Sequence, residues 1–255
     1  MNIVVLMKQT FDTEAKIQLD GEGKISRQGV NKIINPYDEY AVEEAIRIKE
    51  AKGGEVTLVS MGDDGVQESL RQALAMGADK AVLVNDPALE GADHYVAAKV
   101  LAKVLEGMSY DLILSGWVAI DDQSSQVPAR LAEVLGLPQA NVVTKLEVLD
   151  GKIVCHREGD GSIEVLELPL PAVVTAQKGL NEPRYPALKG IMQAKKKELK
   201  KLSLADLGLE AEAGKTKIVG YQLPEARQAG KVVEGEPADT VKQLIGFLTE
   251  EAKVI

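Results

Sequence analysis

Side chains that could perform covalent or acid–base chemistry are few in this chain. It contains two histidines, His94 and His156, and one cysteine, Cys155, which falls inside an apolar, strand-like run. With a single cysteine, zinc ligation of the usual kinds is not expected, and no G-x-S-x-G nucleophile elbow occurs. We therefore predict no catalytic residue and no metal site, and we interpret Cys155 and His156 as structural.

Two polar loops could instead bind a phosphate, because each leads into a predicted helix. The first is INPYDEY (residues 34–40), and the second is SGWVAIDDQSSQVPAR (residues 115–130). The second loop offers the hydroxyls of Ser124 and Ser125, the amide of Gln126 and the free N–H groups at a helix start. Neither a G-x-x-x-x-G-K-[ST] nor a G-x-G-x-x-G motif is present. A capped helix preceded by a polar surface loop remains the alternative.

The stretch GLNEPRYPALKGIMQAKKK (residues 179–197) does not have the composition of a linker. Pro183 and Pro186 restrain its first half, because each fixes its own φ and restricts the preceding residue. Apolar residues follow and end in three lysines, 195–197. The residues alone leave open whether Leu188 packs on its own domain or meets a partner.

Hydrophobic patterning predicts the elements that position these segments. Continuous apolar runs predict buried strands, and stripes at helical spacing predict helices between them. The predicted strands are 2–7, 55–62, 80–86 and 111–116, and the helices are 36–52, 66–76, 95–105 and 127–135. This alternation indicates an α/β fold with a doubly wound, mostly parallel sheet. Ligands bind such sheets beyond the carboxyl ends of the strands, where the strand order switches direction.

The pattern changes after residue 140. Segments 146–148, 152–157 and 162–168 are separated by Asp-Gly pairs, which predicts antiparallel hairpin additions to the sheet. One more buried strand is predicted at 171–176. A polar connector after Lys201 leads to a C-terminal helix, 240–253, with an apolar face that could pack on its own domain or on a partner.

Composition narrows the functional class. The 255 residues carry a net charge of −9, which disfavours binding to nucleic acid. Hydrophobic residues make up 45% and aromatic residues only 4%, so the core must be aliphatic. A single cysteine fits a reducing compartment, no apolar run approaches the roughly 20 residues of a membrane span, and the sequence starts without a leader pattern. We expect a cytoplasmic protein that does not insert into a membrane.

Five segments carry a resemblance to a known family: VVLMKQ, INPYDEYAVEEAIRIKE, LRQALAMGADKAVLV, SGWVAIDDQSSQ and LPLPAVVTAQKGLNEPRYPALKGIMQAKKK. Along nearly its whole length the chain resembles the β subunit of electron transfer flavoprotein. The resemblance implies an adenine-nucleotide alpha-hydrolase-like fold and a heterodimer with an α subunit that holds most of the redox FAD. It also implies one structural AMP in the β subunit. Electrons would pass from acyl-CoA dehydrogenases of fatty acid oxidation to a membrane quinone reductase.

The resemblance also implies an AMP pocket. Its expected residues are Leu6, Asn35, Pro36, Tyr37, Asp38, Met61, Gly116, Ala119, Ile120, Asp121, Asp122, Ser124, Ser125, Gln126 and Val127. The chain departs from many AMP-type members at Val127 and Pro128, where those members have Thr-Gly. The lost hydroxyl leaves Ser124 or Ser125 to meet the phosphate. Gln-Val also occurs in the electron-bifurcating branch, in which a second FAD replaces AMP and NADH is the donor, so that branch is the alternative.

A docking function is implied for the proline-containing stretch. The expected partner-recognition residues are Pro183, Arg184, Tyr185, Pro186, Leu188, Ile191 and Met192, with Leu188 as the anchor. Glu158 resembles an acid that governs electron transfer between proteins. We expect a nucleotide-binding domain at 1–198 and a C-terminal arm at 199–255 that packs on the partner subunit. A nucleotide-binding module like the universal stress proteins is the lower alternative.

Overall fold

Most of the predicted strands and helices are present in the structure. The computed structural model describes residues 1–26, 28–225 and 229–255. Its elements are β1 (Asn2–Leu6), β2 (Gln9–Phe11), β3 (Lys32–Ile34), α1 (Pro36–Lys52), β4 (Glu55–Met61), α2 (Val66–Met76), β5 (Lys80–Val84), α3 (His94–Glu106), β6 (Leu112–Gly116), α4 (Val127–Leu135), β7 (Gln139–Val148), β8 (Lys152–Gly159), β9 (Ser162–Pro169), β10 (Ala172–Ala176), α5 (Leu188–Ala194), β11 (Leu199–Leu202) and α6 (Pro237–Gly246).

The central sheet has nine strands within the described residues, in the order β11-β5-β4-β1-β6-β10-β7-β8-β9. All neighbours from β11 to β7 pair in parallel, whereas β7, β8 and β9 form an antiparallel meander. The strand order switches direction at β1, which has β4 on one side and β6 on the other. The predicted fold class, including the antiparallel additions, is therefore confirmed.

Helices cover both faces of the sheet, as the alternation predicted. Ile3 and Val5 of β1 pack into a cluster with the apolar faces of α1 and α2. Val4 and Leu6 of the same strand point to the opposite face and pack into a cluster with α3 and α4. This period-2 alternation buries both faces, which explains why β1 reads as a continuous apolar run.

Three short features were not predicted, and one predicted helix begins earlier than expected. The strands β2 and β3 form an antiparallel pair, with Thr10 opposite Ile33. The sequence predicted no strand in this region. The helix α5 forms inside the docking stretch, and β11 pairs with β5 at the edge of the sheet. The last helix begins at Pro237, not at Thr240, because proline suits the first helical position. The three features that were not predicted are too short to show a period.

The chain divides into two compact units. The first contains residues 1–17 and 26–219, and it includes the whole nine-stranded sheet. Strand β11 lies beyond the boundary predicted at residue 198, so the sheet extends into part of the predicted arm. The second unit contains residues 18–25 and 220–255. Part of the connector predicted before the last helix, residues 226–228, lies outside the described residues.

The second unit has its own local contacts. Leu19 and Ile25 form a single antiparallel bridge around a turn that the Asp20 carboxylate closes. The helix α6 continues into one turn of π-helix, Phe247–Glu251, and Lys231 pairs with Glu251 and lies over the Phe247 ring. The apolar side chains of Val241, Leu244 and Ile245 are exposed along α6.

Candidate nucleotide site and docking loop

A cavity of about 200 Å³ lies at the carboxyl ends of the parallel strands, where the strand order switches. Leu6 ends β1, Met61 ends β4 and Gly116 ends β6, and all three line the cavity. This is the position at which doubly wound sheets bind ligands. The cavity therefore lies where the strand pattern predicted a binding site.

The carboxylate of Asp38 holds two strand ends together beside this cavity. Asp38 lies in the first turn of α1 and is buried. Its Oδ2 accepts a hydrogen bond from the Lys8 N–H at 2.7 Å, and its Oδ1 accepts one from the Gly116 N–H at 2.8 Å. Burial raises the pKa of Asp38 to about 6, although the two N–H donors favour the charged form.

Close contact between α1 and β6 requires a glycine at position 116. A Cβ added to Gly116 would lie 2.6 Å from Asp38 Oδ1 and 2.6 Å from Tyr37 Cβ. No side chain fits at these distances without a shift of the helix. Gly116 therefore lets the start of α1 reach the strand end.

Asn35 fixes the loop that follows β6. Its Nδ2 donates to the Val118 carbonyl at 2.9 Å, and its Oδ1 accepts from the Ile120 N–H at 3.2 Å. Asn35 is buried, so these bonds also satisfy its side-chain amide. One short segment, Asn35–Asp38, thus organises both β6 and the loop after it.

A charged network contributes Lys8, His94 and Asp122 to the lining of the cavity. Lys8 Nζ donates to Asp121 Oδ1 at 2.8 Å and to Asp122 Oδ2 at 2.7 Å, and His94 Nε2 lies 3.1 Å from the same Asp122 oxygen. Burial alone would raise the pKa of Asp122, but hydrogen bonds from Lys8, the Ser124 N–H and His94 hold that pKa well below its ordinary value. Burial would likewise lower the pKa of Lys8, but Asp121 and Asp122 raise it overall.

The loop after this network has two non-glycine residues in the left-handed region, Gln123 at φ 51° and Ser125 at φ 54°. Such backbone costs free energy and persists where surrounding contacts impose it. Here Asp122 Oδ1 accepts from the Ser124 N–H at 2.9 Å. The turn places Ser124, Ser125 and Gln126 in the cavity wall just before α4.

Eleven of the fifteen predicted nucleotide-site residues line the cavity: Leu6, Asn35, Asp38, Met61, Gly116, Ala119, Asp122, Ser124, Ser125, Gln126 and Val127. The other four do not line it but lie beside its wall. Pro36 begins α1, and Ile120 is bonded to Asn35. Asp121 is paired with Lys8, and the Tyr37 ring meets the Trp117 ring edge to face, with centroids 5.5 Å apart.

Lys8, Ser60, His94 and Trp117 also line the cavity, although they were not among the predicted site residues. Lys8 and Ser60 lie at strand ends, where doubly wound sheets bind ligands. Trp117 directly follows β6. His94 begins α3 and carried no motif, so only the fold brings it to the cavity.

Comparison with known proteins gives one family. The family described as "Electron transfer flavoprotein domain" matches residues 22–207. The protein "Electron transfer flavoprotein subunit beta" of Bacillus subtilis (strain 168) is 49% identical over 258 residues, which cover 100% of each chain. The chain belongs to the electron transfer flavoprotein family, among its β subunits. The β subunit of Syntrophomonas wolfei subsp. wolfei is 47% identical over 256 residues, covering 100% of this chain and 98% of that one. The β subunit of Thermoanaerobacterium thermosaccharolyticum is 42% identical over 252 residues, or 96% of each chain.

The segment for which docking is predicted, residues 181–194 and called the docking loop below, presents an apolar tip. Leu188 is 75% exposed and Tyr185 is 94% exposed, and Ile191 and Met192 are also exposed. Arg184 was predicted among the recognition residues, but its guanidinium lies against α1 of its own chain. The structure therefore separates the exposed apolar residues of the loop from the arginine that precedes them.

The antiparallel meander contains two further residues for which the sequence analysis gave a role, Glu158 and Cys155. Glu158 lies near the end of β8, opposite Ile163 of β9, and its side chain is exposed. Cys155 is buried, and burial raises the pKa of its thiol to about 12. A thiol with that pKa stays protonated at neutral pH, which agrees with a structural role.

Among the described residues, no helix has both the length and the apolar character needed to cross a membrane.

Proposed function

We propose that this chain is the β subunit of a heterodimeric electron transfer flavoprotein. With an α subunit it would hold the redox FAD, and it would bind AMP in the cavity at the switch of strand order. The complex would take electrons from acyl-CoA dehydrogenases and pass them to a membrane quinone reductase. We propose the cytoplasm as its location, in line with the single buried cysteine.

The observation that carries the nucleotide proposal is the mixed lining of the cavity. Part of the lining is apolar, with Leu6, Met61 and Leu101, which suits an adenine ring. The lining also includes Ser124 and Ser125 just before the start of α4, whose hydroxyls suit a phosphate. The Lys8 ammonium is already paired with two carboxylates. We therefore assign the phosphate to the hydroxyls and the helix start.

One observation favours the electron-bifurcating alternative. Val127 lines the cavity at the first position of α4, and it offers no hydroxyl to a phosphate. Pro128 follows it and carries no N–H donor. A second FAD in place of AMP, with NADH as the donor, is accordingly the second candidate.

Extraction of the nucleotides tests both candidates. The chain is co-expressed with an α subunit, and the purified complex is denatured and its nucleotides are separated by chromatography. We expect a yellow heterodimer that releases one FAD and one AMP per pair. Two FAD per pair would replace the first candidate by the second. A colourless homodimer that never captures an α subunit would support a stress-protein-like module instead.

The docking loop supplies a second test. Leu188 stands free at the tip of the loop, and we propose that it enters a pocket on the dehydrogenase. Burial of one leucine contributes about 1.5–3 kcal/mol, which suits a complex that must dissociate after each transfer. Leu188→Ala should lower electron transfer from an acyl-CoA dehydrogenase at least tenfold, by roughly that free energy, with the FAD content unchanged. An unchanged rate would contradict the docking assignment.

A further inference from the structure

Arg184 is bound to its own chain through a set of charged hydrogen bonds. Its Nε donates to Glu43 Oε2 at 2.8 Å, and its Nη2 donates to Glu43 Oε1 at 3.1 Å. Its other edge reaches Glu50, with Nη1 to Oε1 at 2.6 Å and Nη2 to Oε2 at 2.9 Å. The fork of one guanidinium thus binds two carboxylates of α1 in bidentate fashion, which fixes its direction as well as its position.

Glu43 is the more buried of these two carboxylates. The Glu43 side chain is 2% exposed, and it also accepts a hydrogen bond from Arg47 Nε at 2.8 Å. Burial would raise the pKa of Glu43, but Arg184 and Arg47 lower it overall. The Arg184 N–H donates to Glu43 Oε2 as well, at 3.2 Å, so both backbone and side chain of the loop are held.

The same face of α1 binds the loop three residues earlier. Asn181 Nδ2 donates to the Tyr40 carbonyl at 3.0 Å and to Glu44 Oε2 at 2.9 Å. Glu43 and Glu50 are seven residues apart and share one helix face, and so do Tyr40 and Glu44 at four residues apart. The N-terminal half of the loop therefore lies along α1 through side chains that α1 supplies.

The C-terminal half of the loop is held separately by α2. A Cβ on Gly190 would lie 2.2 Å from the Ala75 carbonyl oxygen, so α5 and α2 are in backbone contact there. Arg71 Nη1 donates to the carbonyls of Ala194 and Lys197 at 2.6 and 2.7 Å. Between these two attachments lie the exposed side chains of Tyr185 and Leu188.

We propose that Arg184 is a positioning residue, which through Glu43 and Glu50 fixes the docking loop so that Leu188 is presented to the dehydrogenase in a single arrangement. Arg184 itself does not contact the dehydrogenase. This inference rests on the proposed function, in which Leu188 is the docking anchor.

The physical reason is the entropy of docking. A loop that is fixed before the partner arrives loses little conformational freedom on binding, whereas a loose loop must be ordered in the complex. We call the contacts of Arg184 with Glu43 and Glu50 the clamp. The clamp affects only the binding of the dehydrogenase, because the flavin and the geometry of the bound complex are unchanged once Leu188 is in place. Loosening the clamp should therefore raise KM for the flavoprotein and leave kcat nearly unchanged.

The test uses the heterodimer purified with an α subunit and an acyl-CoA dehydrogenase as the electron donor. Glu43→Gln keeps the side-chain shape but removes the charge that Arg184 and Arg47 share. We expect KM for the heterodimer to rise about fivefold to tenfold, with FAD content unchanged. A rise of this size corresponds to the entropy cost of ordering a few side chains on docking. Glu68→Gln, which removes an exposed carboxylate from α2, is the matched control and should behave as wild type.

Two further readouts distinguish positioning from a general loss of structure. Amide hydrogen exchange of residues 181–188 in the free heterodimer should accelerate in Glu43→Gln and not in the control. Glu50→Gln loses only the outer, half-exposed carboxylate, so it should fold even if the Glu43 variant does not. It should change KM in the same direction by a smaller factor.

A double-mutant cycle with Leu188→Ala separates this inference from the proposed function. If the clamp acts through Leu188, Glu43→Gln should have little further effect in the Leu188→Ala background. Equal effects of Glu43→Gln in both backgrounds would overturn the positioning role, and so would wild-type KM in both Glu43→Gln and Glu50→Gln while Leu188→Ala is impaired. Wild-type behaviour of Leu188→Ala would instead overturn the docking assignment itself.

Discussion

At the scale of single residues, Asp38 both stabilises the fold and lines the candidate site. Its buried carboxylate accepts hydrogen bonds from the N–H groups of Lys8, which follows β1, and of Gly116, which ends the neighbouring strand β6. Asn35, three residues earlier, holds the loop after β6 through its amide. These two side chains fix the shape of the cavity without being able to donate or accept electrons.

The pKa of Asp38 leads to a prediction about pH. The folded chain binds this proton more tightly than the unfolded chain does, because the pKa is about 6 against an ordinary 3.8. The contribution of Asp38 to stability is therefore greatest at low pH and falls as pH rises through this window. The difference between these two pKa values corresponds to a change in the free energy of unfolding on the order of 3 kcal/mol.

The measurement compares the wild type with Asp38→Asn, which cannot titrate. The free energy of unfolding of the wild type relative to that of the variant should fall between about pH 4 and about pH 7. Chemical denaturation of both heterodimers across this range gives that difference, and other titrating groups cancel in it. A relative stability that rises with pH would show that the two N–H donors outweigh burial.

Val127 is the residue at which the nucleotide proposal can be tested by gain of function. Val127→Thr places a hydroxyl at the first position of α4, in the cavity wall. One added hydrogen bond of about 1 kcal/mol should slow the loss of AMP about fivefold. The AMP retained after dialysis measures this effect, and Val134→Thr, on the exposed surface of α4, is the control. Equal retention in all three proteins would count against a phosphate at this position.

At the scale of elements, α1 carries both candidate surfaces. Asn35 just before the helix and Asp38 in its first turn lie at the cavity, and the next two turns bind Asn181 and Arg184 of the docking loop. The helix α2 holds the other half of that loop. The Lys197 ammonium donates to the carbonyls of Leu74 and Ala78 at the end of α2, at 2.9 and 2.5 Å. Only Lys195 and Lys196 of the three lysines are thus left exposed.

The packing of α5 on α2 yields a prediction for one glycine. Gly190→Ala would place a Cβ 2.2 Å from the Ala75 carbonyl oxygen, so α5 must move. With an acyl-CoA dehydrogenase as electron donor, we expect KM for the heterodimer to rise about tenfold, because a shift of roughly 1 Å misplaces the Leu188 anchor. Gly107→Ala is the control, because its Cβ would lie 3.6 Å from the nearest atom. A wild-type KM in Gly190→Ala would show that the contact does not position the loop.

At the scale of the whole molecule, the chain comprises two compact units that differ in character. The first contains the sheet, the cavity and the docking loop, and its core is aliphatic on both faces. The second presents an α-helix whose apolar side chains, Val241, Leu244 and Ile245, are exposed. An exposed apolar face on a terminal helix supports the proposal that this unit packs on the α subunit.

Leu244→Lys tests that proposal. A charge in the middle of an apolar interface should weaken the heterodimer at least tenfold, because an ammonium would be desolvated without a partner. Lys242→Gln changes an exposed polar residue of the same helix and is the control. Analytical ultracentrifugation over a dilution series measures the affinity, and FAD retention gives a second readout. Undiminished association of Leu244→Lys would place the α-subunit contact elsewhere.

The sequence by itself determined the class of fold and most of the cavity wall. Apolar runs such as residues 2–7 specify buried parallel strands because both faces of each strand must be covered. Loops at the carboxyl ends of such strands must converge, which predicted the loop that contains Ser124, whereas Asn35 and Asp38 were predicted from the family resemblance. The family followed from the motifs, since the segment around residues 171–197 matches a known pattern.

Only the tertiary structure decided which partner each polar side chain has. His94 reaches Asp122 because α3 begins beside the loop after β6, and no local pattern encodes that proximity. Arg184 was predicted as a partner-recognition residue, and only the structure shows that its guanidinium binds Glu43, which lies 141 residues away in sequence. The physical reason is that local spacing specifies strands and helices, whereas pairing between charged groups depends on long-range packing of α1 against the loop.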